Sequence, residues 1–191
     1  MKYNIVAFDS LPDVLKKSDY VDFLLYLNKE KPCIRLGKNK DFVYKELIDW
    51  CYKFNHSYVI SKSGLMYISK HKIIAIFTMH IDDLTIPHEL LLGKLLGYPI
   101  CCSKKIKSVG EMNIDQFEQE LVKSNGFIGK YKYINPTYYT RGLSLISHVP
   151  CSCQCQASLR IAKRSLSVIN NYKEHSKLKE LHKFWEEGNC L

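Results

Sequence analysis

A single α+β domain, with a small antiparallel sheet of three or more strands packed with helices and a mostly helical C-terminal part, is the fold the sequence predicts. Three observations carry it. After Asp41, residues Val43, Leu47, Trp50, Cys51 and Phe54 recur at helical spacing on one face. From Tyr58 to Ile81 the chain turns to β-branched and aromatic runs separated by short polar breaks. Beyond Cys151, Leu159, Ala162, Leu166 and Ile169 restore a helical stripe. At 191 residues the chain is long enough to bury a core without disulfide staples. No linker, repeat or low-complexity segment divides it, and we read residues 1–191 as one domain, with an α+β part at 1–86 and a mainly helical part at 87–191.

In chain order, Asn4 to Phe8 reads as a strand. Ser18 precedes a short helix over Val21 to Leu27, and Pro32 to Leu36 is a second strand candidate. Asp41 then opens the amphipathic helix as its N-cap. Tyr58 to Ser61, Leu65 to Ser69 and Ile73 to Ile81 form a three-stranded meander, broken by Lys62-Ser63-Gly64 and Lys70-His71-Lys72. Pro87 starts a Leu-rich helix through His88 to Leu96, closed by Gly97 and Pro99 in the order that helix ends favour. Asn113 and Gln116 have the spacing of a capping box for a helix to about Lys123, stopped by Asn125-Gly126. Tyr131 to Tyr133 and Leu143 to His148 read as short strands. A helix starting at Pro150 runs on, with a break at Asn170 to His175 and a stop at Gly188.

Chemistry concentrates in two segments. Gly97-Tyr98-Pro99-Ile100-Cys101-Cys102-Ser103 and His148-Val149-Pro150-Cys151-Ser152-Cys153-Gln154-Cys155 hold five of the eight cysteines. Each places a proline just before thiols and an expected helix, and proline suits the first helical position. A thiol in a first turn meets unpaired N–H groups and the positive end of the helix dipole, which favour the thiolate. On a helix from Pro150, Cys151 and Cys155 share the face that continues to Leu159 and Ala162, while Cys153 lies about 200° from Cys151. Cys153 is therefore the bystander. Cys33, Cys51 and Cys190 read as small core hydrophobes.

The pair Gly97-Tyr98-Pro99-Ile100-Cys101-Cys102 and His148-Val149-Pro150-Cys151-Ser152 with Cys155 and Ser158 resembles an uncharacterised prokaryotic family of unknown function marked by GYPxCC and HxPCSxxC segments. The resemblance spans roughly Pro87 to Arg164. It implies that Cys101, Cys102, His148, Cys151 and Cys155 belong to one site and that Cys153 fills a variable position; it implies no activity.

Two catalytic chemistries fit this set. In the favoured one, Cys102, Cys151 and Cys155 ligate zinc or an iron–sulfur cluster, with Cys101 and His148 at the edge, because thiolates select soft and borderline metals over magnesium or calcium. Adjacent cysteines then divide their roles, one ligating and the other serving substrate or redox chemistry. In the alternative, Cys101 or Cys102 is a nucleophile for acyl, amide or thioester chemistry, with His148 as its base. Against that stands the lack of an evident orienting Asn or Asp after His148. A third reading is a non-catalytic zinc- or redox-dependent module that binds nucleic acid or a carrier protein. Its support is the formal charge of +9, which admits an acidic substrate, but no nucleic-acid motif accompanies the basic residues. Lys104, Lys105, Lys107, Arg160, Lys163 and Arg164 follow the cysteine segments and otherwise read as a solvated face.

The weaker candidates are His80, Asp82, Asp83, His88 and Glu89 as a hard-ligand set, for which strand-end and helix-start acids are the simpler account. Tyr131, Tyr133, Tyr138 and Tyr139 read as sheet residues, and His175 and His182 as exposed. Met1 to Asp9 has no signal-peptide pattern, and the longest apolar runs fall short of a membrane span. The expected setting is the cytoplasm, where eight cysteines are more usefully reduced, ligating or catalytic than disulfide-bonded.

Overall fold

The fold is taken from a computed structural model that describes residues 2–13, 15–37, 41–84, 88–172 and 175–187. It is α+β: mostly helical, with one three-stranded antiparallel sheet among the described residues. Packing divides the chain into two compact units, residues 1–15 with 22–97 and residues 16–21 with 98–191. Among the described residues no helix is long and apolar enough to cross a membrane.

The first unit contains α1 (Lys2–Asp9), most of α2 (Lys17–Leu27), β1 (Cys33–Leu36), α3 (Asp41–Lys53), β2 (Ser57–Ile60), β3 (Met66–Ser69), α4 (Lys72–Asp82) and α5 (Glu89–Leu95). The sheet order is β1-β3-β2. Cys33 pairs with Ser69 and Leu36 with Met66 on one side, and Ser57 with Ser69 and Ile60 with Met66 on the other. β3 is central and buried at every position. The helix α3 forms as its pattern predicts: Leu47, Trp50, Cys51 and Phe54 are buried, and Trp50 Nε1 donates to the Ala7 carbonyl at 2.7 Å. Asp41 lies inside the first turn of α3 rather than before it.

Two expected strands are helices. Ile73 to Ile81 is not the third strand but part of α4, whose buried residues Ala75, Thr78 and Ile81 recur every three positions. A short apolar run carries no periodicity that separates a buried strand from a buried helix. Here tertiary bonds decide: Arg35 Nη1 donates to Asp82 Oδ1 at 2.8 Å and the Tyr67 hydroxyl donates to Asp82 Oδ2, tying the helix end to the sheet. Thr78 Oγ1 donates to the Ile74 carbonyl within the helix at 2.7 Å. The third strand is instead Cys33–Leu36, one of the weaker candidates. Asn4 to Phe8 likewise lies in α1, where Ile5 and Val6 are exposed and Ala7 and Phe8 buried, a grouping in pairs that suits 3.6 residues per turn and not strand alternation.

α5 ends as expected. Gly97 has φ +77°, and a Cβ there would press on the Glu30 carbonyl at 3.3 Å, so glycine answers both constraints. The expected opening residue, Pro87, lies outside the described residues.

The second unit contains α6 (Ile100–Val109), a 3-10 turn (Glu111–Asn113), α7 (Ile114–Lys123), a second 3-10 segment (Gly129–Ile134), α8 (Thr137–Thr140), α9 (Gln156–Asn171) and α10 (Ser176–Glu186). Asn113 precedes α7, but its side chain donates to the Val109 carbonyl and Gln116 bonds Glu120, so no capping box forms. The expected strand at Tyr131 to Tyr133 is 3-10 helix. Leu143 to His148 is irregular because helix side chains take its carbonyls: Trp185 Nε1 donates to Leu143 at 3.1 Å and Ser165 Oγ to Leu145 at 2.7 Å. Tyr133 and Tyr138 pack against Trp185 instead of lining a sheet, with ring centroids 5.2 and 5.1 Å away. His182 is 8% exposed, on the buried face of α10, which corrects its expected exposure. His175 is the N-cap of that helix.

Candidate metal centre

The four thiols of Cys101, Cys102, Cys151 and Cys155 meet in the second unit, every pair of sulfurs within 4.8 Å. Cys101 Sγ lies 3.9 Å from Cys102 and 3.8 Å from Cys155, and Cys102 lies 3.7 Å from Cys155. Pro99, with extended backbone (φ −61°, ψ 138°), is the N-cap of α6, which sets Cys101 and Cys102 in its first turn. Adjacent residues on a helix point about 100° apart, yet both sulfurs reach the cluster. Cys101 therefore stands inside the group rather than at its edge.

Cys151 and Cys155 arrive differently from the expected shared helix face. α9 starts at Gln156, and residues 151–154 form a turn closed by the Cys155 amide on the Ser152 carbonyl at 3.2 Å. Cys155 is the N-cap, its sulfur accepting from the Ser158 amide at 3.4 Å. A sulfur here does what a serine or aspartate oxygen does at most helix starts: it satisfies one of the orphan N–H groups. The first turns of α6 and α9 thus converge on the same four sulfurs.

Ser158 organises the cluster. Its hydroxyl lies 3.3 Å from Cys155 Sγ, 3.3 Å from Cys102 Sγ and 2.9 Å from His148 Nε2. A hydroxyl has one proton to give and two lone pairs. With His148 donating to Ser158, the serine proton is free for Cys155. His148 thus acts on the thiols through Ser158, and its ring packs on Tyr98 at 5.2 Å. Ser158 appears in the sequence only as the last residue of the second motif; nothing in its spacing marks it as a donor to sulfur.

Charge follows these contacts. Burial drives the Cys155 thiol upward, but the Ser158 hydroxyl and amide, followed by Cys151 and Cys102, more than offset it and bring the pKa down to about 6. Burial raises Cys151 to about 12, with Cys155 and Cys101 adding to the rise. Cys102 is pushed far up by burial and by the Cys155 charge, against the opposing Ser158 bond. One thiolate is stable by itself here. Four are not, because sulfurs this close repel one another as anions unless a cation lies among them.

Among the described residues, the remaining cysteines lie outside this group. Cys153 Sγ contacts Ser124 Oγ at 3.0 Å and the Leu121 carbonyl at 3.4 Å, and a Cβ on Gly126 would sit 2.6 Å from its own Cβ. Cys33 and Cys51 are fully buried, and Cys190 lies outside the described residues. Asp82, from the acidic alternative, is committed to Arg35 and Tyr67.

A family model described as Protein of unknown function (DUF483) matches residues 68–185. The chain belongs to that family. The matched region takes in both cysteine segments, and the family's description assigns it no activity. No curated protein and no solved structure matches the chain.

Proposed function

We propose that the second unit is built around one metal ion held by the thiolates of Cys101, Cys102, Cys151 and Cys155, and that the ion is zinc. The carrying observation is the sulfur spacing. Four thiolates about 2.3 Å from one tetrahedral zinc lie ~3.8 Å from each other; the sulfurs of Cys101, Cys102 and Cys155 are 3.7, 3.8 and 3.9 Å apart, and Cys151 Sγ lies within 4.8 Å of each. An iron–sulfur cubane carries its four cysteines on four separate irons and needs them much farther apart. Spacing therefore favours a single ion over a cluster.

The donor set fits such an ion in two further respects. Sulfur ligands suit zinc and exclude magnesium and calcium. A bound cation would also offset the burial, and the lesser effect of the neighbouring sulfurs, that keep Cys102 and Cys151 protonated, since a coordinated thiol loses its proton outright. Ser158 and His148 then hold the ligands from behind, the arrangement that orients sulfur and tunes its basicity. Four protein ligands close the coordination sphere, so this ion would tie the start of α6 to the start of α9 rather than activate a water.

Metal analysis of protein purified without chelators tests the reading. One zinc per chain, and intense visible bands of tetrahedral thiolate coordination after exchange with cobalt, are expected. Iron with equimolar sulfide would replace the single ion with a cluster, and folded protein without stoichiometric metal would overturn the reading.

A further inference from the structure

We propose that Cys101 is a metal-activated nucleophile, the thiolate at which this centre accepts an alkyl group from a donor with an anionic leaving group. The inference rests on the tetrathiolate reading and adds a reactive position to it.

Exposure separates the four sulfurs first. Cys102 is 2% and Cys155 5% exposed, and Cys151 is intermediate, whereas Cys101 is an exposed residue. Hydrogen bonding sets the two buried sulfurs apart from Cys101 and Cys151. Cys155 accepts from the Ser158 amide, Cys102 lies against the Ser158 hydroxyl, and the Cys151 backbone also bonds Cys102. Among the described residues, the partners of Cys101 Sγ are the other sulfurs. A donor on a thiolate withdraws the electron density an attack would use, so Ser158 quiets the buried sulfurs, and of the two it does not touch, Cys101 is the more exposed. Four thiolates around a divalent ion carry a net charge of −2. That excess keeps a bound sulfur nucleophilic at neutral pH, where a free thiol is mostly protonated.

The surroundings specify the donor. Lys104 and Lys105 stand three and four residues beyond Cys101 on α6, on the same side of the helix. Lys104 is exposed, and Lys105 Nζ sits 4.9 Å over the Phe117 ring. Positive charge carried on the Cys101 side of α6 favours departure of an anion such as a sulfonate or phosphate ester group. In the step, the Cys101 thiolate pair forms a bond to a methyl or primary carbon, and the bond from that carbon to the leaving group breaks with its pair remaining on the departing anion. No proton or redox change is involved. Cys101 becomes a neutral thioether, and the centre's charge falls from −2 to −1.

The test treats the zinc-bound full chain with substoichiometric methyl methanesulfonate and, separately, N-ethylmaleimide, mapping modified cysteines by mass spectrometry while metal content is followed. Cys101 is expected to react about tenfold ahead of every other cysteine, before zinc is released. Cys101→Ser should remove that fast phase, and if this variant binds no zinc the wild-type map decides alone. Lys104→Ala with Lys105→Ala should slow the sulfonate ester roughly two- to fivefold, the scale of exposed charge pairs, and leave the maleimide, which has no leaving group, unchanged. Label that appears first on Cys151, or evenly, with zinc still bound overturns the role of Cys101 alone. Equal slowing of both reagents overturns the donor class. A chain that binds no metal overturns the tetrathiolate reading and this one with it.

Discussion

Cys51 in the first unit and Cys155 in the second are both removed from solvent, yet their thiols move in opposite directions. Burial among apolar neighbours pushes Cys51 up to about 12 and Cys33 to about 11. Cys33 packs with Tyr67 and Ala75; both thiols behave as small hydrophobes. Cys155 also feels burial, but Ser158 presents an amide and a hydroxyl to its sulfur and it falls to about 6. The difference lies in donors and neighbouring sulfurs, not in exposure. A buried cysteine is held as a thiolate where N–H and O–H donors turn toward it and other thiols stand close by.

The comparison breaks most sharply on deleting one sulfur of each kind. Cys155→Ala removes a proposed metal ligand and the N-cap of α9; loss of stoichiometric zinc is expected, with destabilisation of about 4 kcal/mol or more and a melting temperature ~10 °C lower. Cys51→Ala should leave zinc content unchanged and cost about 1 kcal/mol, the scale of a small core deletion. Metal analysis and thermal melts on both variants check the contrast. Comparable destabilisation with zinc retained in both would make the two sulfurs equivalent and erase it.

That contrast also explains what the sequence could and could not disclose. Helix α3 was legible because five residues repeat one period over more than three turns, and β2 and β3 because glycine and polar breaks bound two short β-branched runs. Ile73 to Ile81 and Asn4 to Phe8 were misread because a run of few, mostly apolar residues has no resolvable period, and the bonds of Asp82 to Arg35 and Tyr67 that fix α4 come from distant positions. At the site, motif grouping identified the four cysteines that meet and set Cys153 aside. The geometry behind that grouping was wrong in one respect: Cys151 and Cys155 meet through a turn and an N-cap, not along one helix. Ser158 stayed hidden because its role depends on an amide and a hydroxyl reaching sulfurs that a linear spacing does not bring together.

Replacing the donor while keeping all four sulfurs sharpens the comparison further. Ser158→Ala should weaken zinc binding about 10- to 100-fold, the usual effect of losing a group that orients a ligand, as read by competition with a chelator. In the metal-free protein, thiolate absorbance should show one thiol titrating near 6 in the wild type and shifting upward, toward 9, in the variant. The sign for stability follows. The folded state lowers this pKa, so in the pH interval from about 6 to 9 the unfolded chain binds more protons and metal-free stability rises with pH. The contribution is complete above 9 and disappears as pH falls through 6. An unshifted titration in Ser158→Ala would transfer the effect to the neighbouring sulfurs.

The smallest effect belongs to Cys153, which sits beside Cys151 and Cys155 in sequence and apart from their cluster in space. Its sulfur contacts Ser124 and the Leu121 carbonyl, so Cys153→Ala removes weak packing and hydrogen-bond contacts worth about 1 kcal/mol. Zinc stoichiometry and chelator competition should match the wild type, with the melting temperature lower by ~2–4 °C. Proximity in sequence would have made Cys153 the natural partner of Cys151 and Cys155, and a loss of zinc here would restore it to that place. Retained zinc instead assigns the fourth position to Cys101, the sulfur that arrives from α6 about 50 residues earlier in the chain.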